Sequence, residues 1–197
     1  MSTPTSTFRK AFLPSSGSSD STVKVLGIDP GLDRTGWAVV EKSAGADPSL
    51  ISSGLIHTSA DRPLADRLDQ LYTELEGILR LHRPETAAIE KMFFVKRAAT
   101  VGATVQARGV ILLCLKRCGA QVREYDPRTV KSQLSGNGNA DKAQMQRMVQ
   151  AIFRLPKPPS PDDVADAMAI ALCQIKIGPV NDRMQAALAM IKRAARK

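Results

Sequence analysis

The sequence predicts an α/β fold with one mixed five-stranded sheet and helices on both of its faces. Two patterns lead to that prediction. Apolar residues first recur in short, closely spaced runs typical of strands, and from Pro63 onward helical spacing alternates with further short apolar runs. Strands joined by short connections form an antiparallel meander, whereas strands that follow helices add in parallel through right-handed crossovers. We therefore expect three antiparallel strands and two parallel ones.

Each predicted element has its own local signal. The turn DPGLDRT separates the first two strands, and leucines at helical spacing form one apolar face between Pro63 and Arg83. Gly178-Pro179 ends the last core helix, and residues 183–196 fit a separate amphipathic basic helix. In chain order we expect strands at 23–28, 36–41 and 50–57, a helix from Pro63, a strand at 85–90, a helix at 97–118, a strand at 120–126, and helices at 142–154 and 161–177.

Length and composition indicate one domain with short extensions. We assign residues 1–22 to a disordered leader rich in Ser and Thr, 23–178 to the folded domain and 179–197 to a basic tail. The leader has no continuous apolar segment, so no signal peptide is predicted, and the longest apolar runs are too short to span a membrane. The net charge of +9 favours an acidic partner such as nucleic acid, although residues 178–197 carry +4 of it.

The cysteines indicate a reducing compartment. Cys114 and Cys118 lie four residues apart on an apolar helix, and no CxxC motif involves them or Cys173. Burial as free thiols is therefore favoured over a metal site. We expect a cytoplasmic protein.

Acidic residues end two of the predicted strands. Asp29 follows VLGI and Glu90 follows TAAI, and a carboxylate among buried strand residues is costly unless its charge is compensated. In an open α/β sheet, ligands bind beyond the strand ends, near the point where the strand order switches. The first and fourth strands are plausible neighbours there, so we expect these two carboxylates side by side.

The segment SPDDVADAMAIA adds a third acidic element. We expect Ser160 as the N-cap and Pro161 as the first residue of a helix on which Asp163 and Asp166 share one face. Acidic residues in a first turn also stabilise a helix by themselves, and an acidic capping box fits here too. Spacing alone does not decide whether Asp162 or Asp163 joins Asp166.

Three acidic elements at one edge of a sheet favour metal-dependent chemistry. Like charges in close proximity raise one another's pKa and repel unless cations neutralise them. Oxygen ligands without a His or Cys cluster favour Mg²⁺ or Mn²⁺, and two such ions per site suit phosphodiester hydrolysis. In a basic protein the expected substrate is nucleic acid.

Four blocks of the sequence together resemble the RuvC family of Holliday-junction resolvases: GIDPGLDRTGWAVV, AIEKMFF, QARGV and DDVADAMAIA. They span roughly residues 23–176 in one order. The resemblance implies an RNase H-like fold, a homodimer and a metal-dependent endonuclease that nicks opposed strands of a four-way DNA junction symmetrically, leaving 5′-phosphate and 3′-hydroxyl ends. It also implies a thymine-containing cutting preference and a branch-migration motor as partner. The family's acidic tetrad falls on Asp29, Glu90, Asp163 and Asp166, which favours Asp163 over Asp162.

The resemblance further suggests residues that contact DNA. Phe93 matches an aromatic that stacks near the junction, although it also fits a core or dimer contact, and Phe94 is adjacent. Lys131 and Lys142 match basic residues near the active site, and either also fits a solvated surface. Candidates for an additional basic track are Lys96, Arg97 and Arg108. The helix at 97–118 is apolar enough to cover the sheet on one side and a twofold partner on the other.

Three other functions fit parts of this pattern. An actin-like phosphotransferase has similar acidic strand-turn motifs but needs a duplicated domain, and the sequence contains no second copy. A junction-binding scaffold would not need all four carboxylates. A nuclease of the same fold that acts on RNA–DNA hybrids or linear DNA is disfavoured by the QARGV and final-helix blocks.

Overall fold

A computed structural model of the chain describes residues 22–91 and 98–194. Five strands and five helices are present in these two ranges. The strands are β1 (Val23–Asp29), β2 (Arg34–Lys42), β3 (Ser49–His57), β4 (Thr86–Glu90) and β5 (Gln121–Tyr125). The helices are α1 (Leu64–His82), α2 (Ala98–Arg117), α3 (Pro127–Ser135), α4 (Lys142–Phe153) and α5 (Asp162–Ala194). The leader at 1–21 and the candidate DNA contacts Phe93, Lys96 and Arg97 lie outside the described residues.

The five strands form one sheet in the order β3-β2-β1-β4-β5. β1 pairs antiparallel with β2 and β2 with β3, whereas β4 runs parallel to both β1 and β5. The predicted division into an antiparallel meander and two added parallel strands is therefore confirmed. The strand order reverses direction at β1, because its neighbours are β2 on one side and β4 on the other.

Helices cover both faces of the sheet, as predicted. One core lies between the sheet and α1 and α2, and it contains Leu26 and Ile28 of β1. The opposite core lies between the sheet and α3, α4 and α5, and it contains Val25 of β1 and Ala88 of β4. Because successive strand residues alternate between faces, Asp29 and Glu90 belong to the α5 face.

The structure corrects the predicted helices in two places. α3 was not expected, because Pro127 was interpreted only as the end of a strand. Asp126 instead caps this helix, because its carboxylate accepts a hydrogen bond from the Thr129 amide at 2.8 Å. Pro127 fits the first helical position. The predicted stop at Gly178-Pro179 was also wrong, because α5 continues through Pro179 to Ala194 as one helix. A proline inside a helix removes one backbone hydrogen bond, and here that loss does not end the helix.

The start of α5 also differs by one residue from the prediction. The helix begins at Asp162, and the Pro161 carbonyl oxygen accepts hydrogen bonds from the amides of Val164 and Ala165 at 3.0 and 3.4 Å. Pro161, rather than Ser160, therefore occupies the N-cap position. The relative spacing of the acidic residues on the helix is unchanged by this correction.

The cysteines behave as predicted, since all three are free and Cys114 and Cys173 are buried. Burial raises the pKa of both thiols to about 12, so they are unreactive core residues. Over the described part of the chain, no helix is long and apolar enough to cross a bilayer.

Candidate active site

Two carboxylates lie at the carboxyl ends of the inner strands β1 and β4, and we refer to this end of the strands as the edge of the sheet. Asp29 and Glu90 end β1 and β4, which are parallel and paired in a register that aligns Ile28 with Ile89. Both side chains follow the strand alternation of residues that pack toward α5, so they extend from the same face of the sheet. The predicted adjacency of these two carboxylates is confirmed.

The first two turns of α5 bring two further carboxylates to this edge. α5 packs directly against β1 and β2 because glycines stand at the points of contact. A Cβ at Gly36 would overlap the backbone carbonyl of Asp163, and one at Gly27 would overlap that of Ala167. Gly36 is the register partner of Asp29. The backbone of Asp163 therefore rests on the strand position opposite Asp29.

Asp29 interacts electrostatically with each of three other carboxylates, and we call Asp29, Glu90, Asp163 and Asp166 the acidic cluster. Burial, followed by repulsion from the other three members, raises the pKa of Asp29 to about 8. Burial and the neighbouring Asp166 also raise the pKa of Glu90. The pKa of Asp166 is raised mainly by burial. These carboxylates are close enough to repel one another, and a cation bound among them would offset that repulsion.

Asp162 and Asp163 have different surroundings, although both lie in the first turn of α5. The Asp162 carboxylate is 54% exposed, accepts hydrogen bonds from Lys142 at 3.3 Å and Gln146 at 2.7 Å, and so ties α5 to α4. The Asp163 carboxylate is 24% exposed and contributes to the raised pKa of Asp29. Asp163, and not Asp162, acts on Asp29, whereas both raise the pKa of Asp166. The choice of Asp163 as the member of the cluster stays a prediction.

The two candidate lysines stand beside the acidic cluster. The positive charge of Lys142 offsets part of the rise in the pKa of Asp29 and Asp166. The charge of Lys131 does the same for Glu90 and Asp166. The Lys142 side chain is 72% exposed, and its pKa is raised by its hydrogen bond to Asp162. Both lysines can therefore neutralise the cluster or a phosphate bound next to it.

Arg108 has a different environment from these lysines. Its side chain is only 13% exposed, and its guanidinium donates to the Glu90 carbonyl oxygen and to Glu124, each at 2.6 Å. These bonds join α2 to the ends of β4 and β5. Arg108 therefore holds the backbone of Glu90, and contact between Arg108 and DNA stays a prediction.

The turn that follows Asp29 is fixed by a buried arginine on α1. The Arg67 guanidinium pairs with Asp33 of this turn and donates to the Thr58 hydroxyl at 3.1 Å. The Thr58 hydroxyl in turn donates to the Leu32 carbonyl at 2.5 Å. The turn is thus connected to the helical layer on the opposite face of the sheet, which limits the movement of Asp29.

Sequence reasoning missed Arg34, which contacts the acidic cluster. Arg34 begins β2, two residues earlier than the predicted start of that strand, and its guanidinium donates to the Asp163 carboxylate. A signal for it existed in the strand alternation, since Arg34 lies two residues from Gly36 and hence on the same face.

The donor chemistry of the acidic cluster fits a hard divalent cation, because carboxylate oxygens are the ligands that such ions prefer. Within residues 22–91 and 98–194, no three acidic, histidine or cysteine side chains already stand close enough together to enclose one ion. Metal binding at this edge would therefore need some side-chain movement within the cluster, while the strands and α5 supply the backbone positions.

Comparison with known proteins agrees with this geometry. Residues 25–174 match the family model described as crossover junction endodeoxyribonuclease RuvC. The chain is 46% identical over 162 residues to the crossover junction endodeoxyribonuclease RuvC of Roseiflexus sp. (strain RS-1), covering 82% of this chain and 96% of that protein. Its identity to the Streptomyces coelicolor protein of the same name is 43% over 168 residues, with 85% and 89% coverage.

Solved structures give the same result. The structure described as T. thermophilus RuvC in complex with Holliday junction substrate aligns with a TM-score of 0.77 and 31% identity, over 81% of this chain and 96% of that one. The yeast mitochondrial Holliday junction resolvase Ydc2 aligns with a TM-score of 0.58 at 13% identity, which concerns the fold alone. The RNase H-like fold is confirmed, and the chain belongs to the RuvC family of crossover junction endodeoxyribonucleases.

Proposed function

We propose that this chain resolves four-way DNA junctions by hydrolysing one phosphodiester bond in each of two opposed strands, as part of homologous recombination and DNA repair. The observation that carries the proposal is the convergence of four carboxylates at one sheet edge beside two lysines. Family membership supports the choice of substrate, as does the similarity to T. thermophilus RuvC, which was solved with a Holliday junction bound. The expected products carry 5′-phosphate and 3′-hydroxyl ends and can be joined by a ligase.

The acidic cluster would hold Mg²⁺ or Mn²⁺, with two ions per active site. Such ions lower the pKa of a water nucleophile and stabilise the leaving oxygen of the phosphodiester. The chain's own part is to keep four carboxylates at a fixed edge. The pKa of Asp29 is raised to about 8, so a cation held beside its carboxyl would favour loss of the proton.

The lysines would bind the DNA backbone around the cleavage point. Lys142 is largely exposed and close to Asp29 and Asp166, so it can reach a phosphate that is brought to the cluster. Lys131 occupies the corresponding position near Glu90. Phosphate contacts of this kind fix the register of the DNA without reading its sequence. Further DNA contacts from Phe93, Lys96, Arg97 and Arg108 are part of the same proposal.

Symmetric nicks need two active sites, and we propose a homodimer formed through the outer face of α2. Two large apolar side chains are exposed on this face, since the exposed fractions of Val105 and Leu113 are 42% and 51%; Gln106 and Lys116 are exposed beside them. A Cβ at Gly102 or Gly109 would meet no atom within 4 Å, so the backbone of α2 is open to close approach. Opposed copies of the same face form a closed twofold interface.

The substitution Leu113→Glu tests this interface, because it introduces a charge where an apolar side chain would be buried. We expect the variant to sediment as a monomer at concentrations at which the wild-type protein is a dimer. Leu81→Glu is the matched control, since Leu81 is 77% exposed on α1. A wild-type monomer, or a dimer that Leu113→Glu leaves intact, would exclude α2 as the interface.

The function itself is tested by cleavage of a labelled mobile four-way junction, with linear duplex of the same arms as control and Mg²⁺ and Mn²⁺ supplied separately. We expect paired nicks at symmetric positions, absent from the duplex and from chelated samples. Equal cutting of duplex would leave a nuclease without junction specificity. Tight binding without nicks under either metal would favour the junction-binding scaffold.

Two further expectations follow from the family. A branch-migration motor is the proposed partner, and the cytoplasm is the proposed location. Co-purification with the motor on junction DNA, compared with junction DNA alone, would test the first, and fractionation of the cells would test the second.

A further inference from the structure

Arg34 joins β2 to the acidic cluster. Its Nη2 atom donates to Oδ2 of Asp163, across a sequence separation of 129 residues. The side chains are 46% and 24% exposed, so the pair lies at the mouth of the site rather than in the core. No motif or resemblance in the sequence assigned a role to this arginine.

The backbone makes this contact a defined one. Arg34 and Gly36 lie on the same face of β2, the face on which α5 packs. The missing side chain of Gly36 lets the backbone of Asp163 rest on the strand. Arg34, the next residue of that face toward the sheet edge, then reaches the Asp163 carboxylate from β2. One strand therefore supports both the main chain and the side chain of Asp163.

The contact uses a single oxygen of Asp163. With Oδ2 engaged by the guanidinium, Oδ1 is the atom available to a cation held by the rest of the cluster. Carboxylates that bind metals are commonly oriented by hydrogen bonds from neighbouring residues, and loss of such a partner weakens metal binding. A planar, always-charged guanidinium is well suited to holding one carboxylate in one rotamer.

We propose that Arg34 is a positioning residue that holds the Asp163 carboxylate through Oδ2 and leaves Oδ1 available to a metal ion that the acidic cluster would bind. The proposal rests on the proposed metal-dependent function of the acidic cluster. It predicts that Arg34 increases metal affinity, although its positive charge alone would oppose a nearby cation. The opposite possibility, in which Arg34 competes with the metal for Asp163, predicts the reverse change and is therefore an outcome of the same experiment.

The test is calorimetric titration of the full chain with Mn²⁺, without DNA, for the wild type, Arg34→Ala and Arg34→Lys. We expect Arg34→Ala to weaken Mn²⁺ binding about tenfold, and Arg34→Lys to recover part of that loss. Arg154→Ala is the matched control, because Arg154 also forms a surface ion pair, with Asp47 at 3.2 Å, but on groups that are each 83% exposed. Thermal melting of each variant in chelator should match the wild type, since the Arg34 side chain is half exposed.

Asp163→Asn and the double variant Arg34→Ala/Asp163→Asn complete a cycle. If Arg34 acts through Asp163, adding Arg34→Ala to Asp163→Asn should cause no further loss of Mn²⁺ affinity. Equal or tighter Mn²⁺ binding by Arg34→Ala, or the same loss in both backgrounds, would overturn the proposal. If Asp29→Asn and Asp163→Asn both bound Mn²⁺ as tightly as the wild type does, the metal site itself would be refuted, and with it the role of Arg34.

Discussion

Asp29→Asn should abolish junction cleavage while leaving junction binding intact. The pKa of Asp29 is raised by all three other members of the acidic cluster, which places Asp29 at its centre. Its substitution would therefore remove the central ligand for the proposed ions. We expect the single-turnover cleavage rate to fall about a thousandfold or more, as for other residues that work as a unit in catalysis. The phosphate contacts that we propose for Lys131 and Lys142 do not require the Asp29 carboxylate, so the dissociation constant for a junction in chelator should change little.

The measurements are single-turnover cleavage at saturating Mg²⁺ or Mn²⁺ and a gel-shift titration without metal. Asp47→Asn makes the same chemical change at a carboxylate that is 83% exposed and is not a member of the acidic cluster. This variant should cut at the wild-type rate. Substantial cutting by Asp29→Asn would contradict the assignment. Loss of junction binding in chelator would mean that Asp29 contributes to DNA binding or to folding rather than to chemistry alone.

The same substitution should stabilise the fold when no metal is present. The pKa of Asp29 is raised from 3.8 to about 8, so between these pH values the folded protein retains a proton that the unfolded chain has lost. This contribution to stability is complete below the lower value and is lost as the pH rises through the upper one. An asparagine has no such cost. In chelator at pH 8, Asp29→Asn should therefore raise the free energy of unfolding by up to about 6 kcal/mol, since each pKa unit corresponds to about 1.4 kcal/mol.

Urea denaturation at pH 5 and pH 8 would measure this effect, and the advantage of the variant should be larger at pH 8. Added Mn²⁺ should stabilise the wild type and not the variant, because ligand binding to the folded state adds to its stability. A variant less stable than the wild type at pH 8 in chelator would show that the Asp29 carboxylate is compensated by something other than a cation. We therefore expect the Asp29 carboxylate to lower the stability of the metal-free protein, and bound Mn²⁺ to offset that loss.

Much of the sheet could be predicted from the sequence because its causes are local. Strand periodicity, turn residues and the alternation of strands with helices fix how the chain must cross, and Asp29 and Glu90 follow as ends of neighbouring parallel strands. The helical interval between Asp163 and Asp166 is equally local. These features needed no knowledge of how α5 packs.

The remaining features depend on that packing. Asp162 and Asp163 are neighbours on one turn of α5. The packing of that turn against Gly36 places Asp163 near Asp29 and Asp162 near Lys142. Strand alternation places Arg34 on the same face of β2 as Gly36, but its contact with a carboxylate 129 residues away depends on the packing of α5. The extension of α5 beyond Pro179 likewise goes against a strong local stop signal.

Gly36→Ala should be strongly destabilising, although it adds only one methyl group near the site. A methyl group there would overlap the Asp163 carbonyl and approach its Cβ to 3.0 Å, and backbone atoms cannot rotate away as a flexible side chain can. The helix must lift from β2, which opens the core between them, so we expect a loss of about 3 kcal/mol in the free energy of unfolding.

Cleavage should fall in Gly36→Ala even under conditions in which the variant remains folded, because lifting the first turn of α5 moves Asp163 away from Asp29. Gly77→Ala on α1 is the matched control: a Cβ there meets nothing within 4 Å, and alanine in place of a helical glycine should stabilise by about 0.5–1 kcal/mol. Urea denaturation of both variants, with cleavage assayed well below the transition, separates the two effects. If Gly36→Ala were as stable and as active as Gly77→Ala, the close seat of α5 on β2 would not be what aligns the acidic cluster.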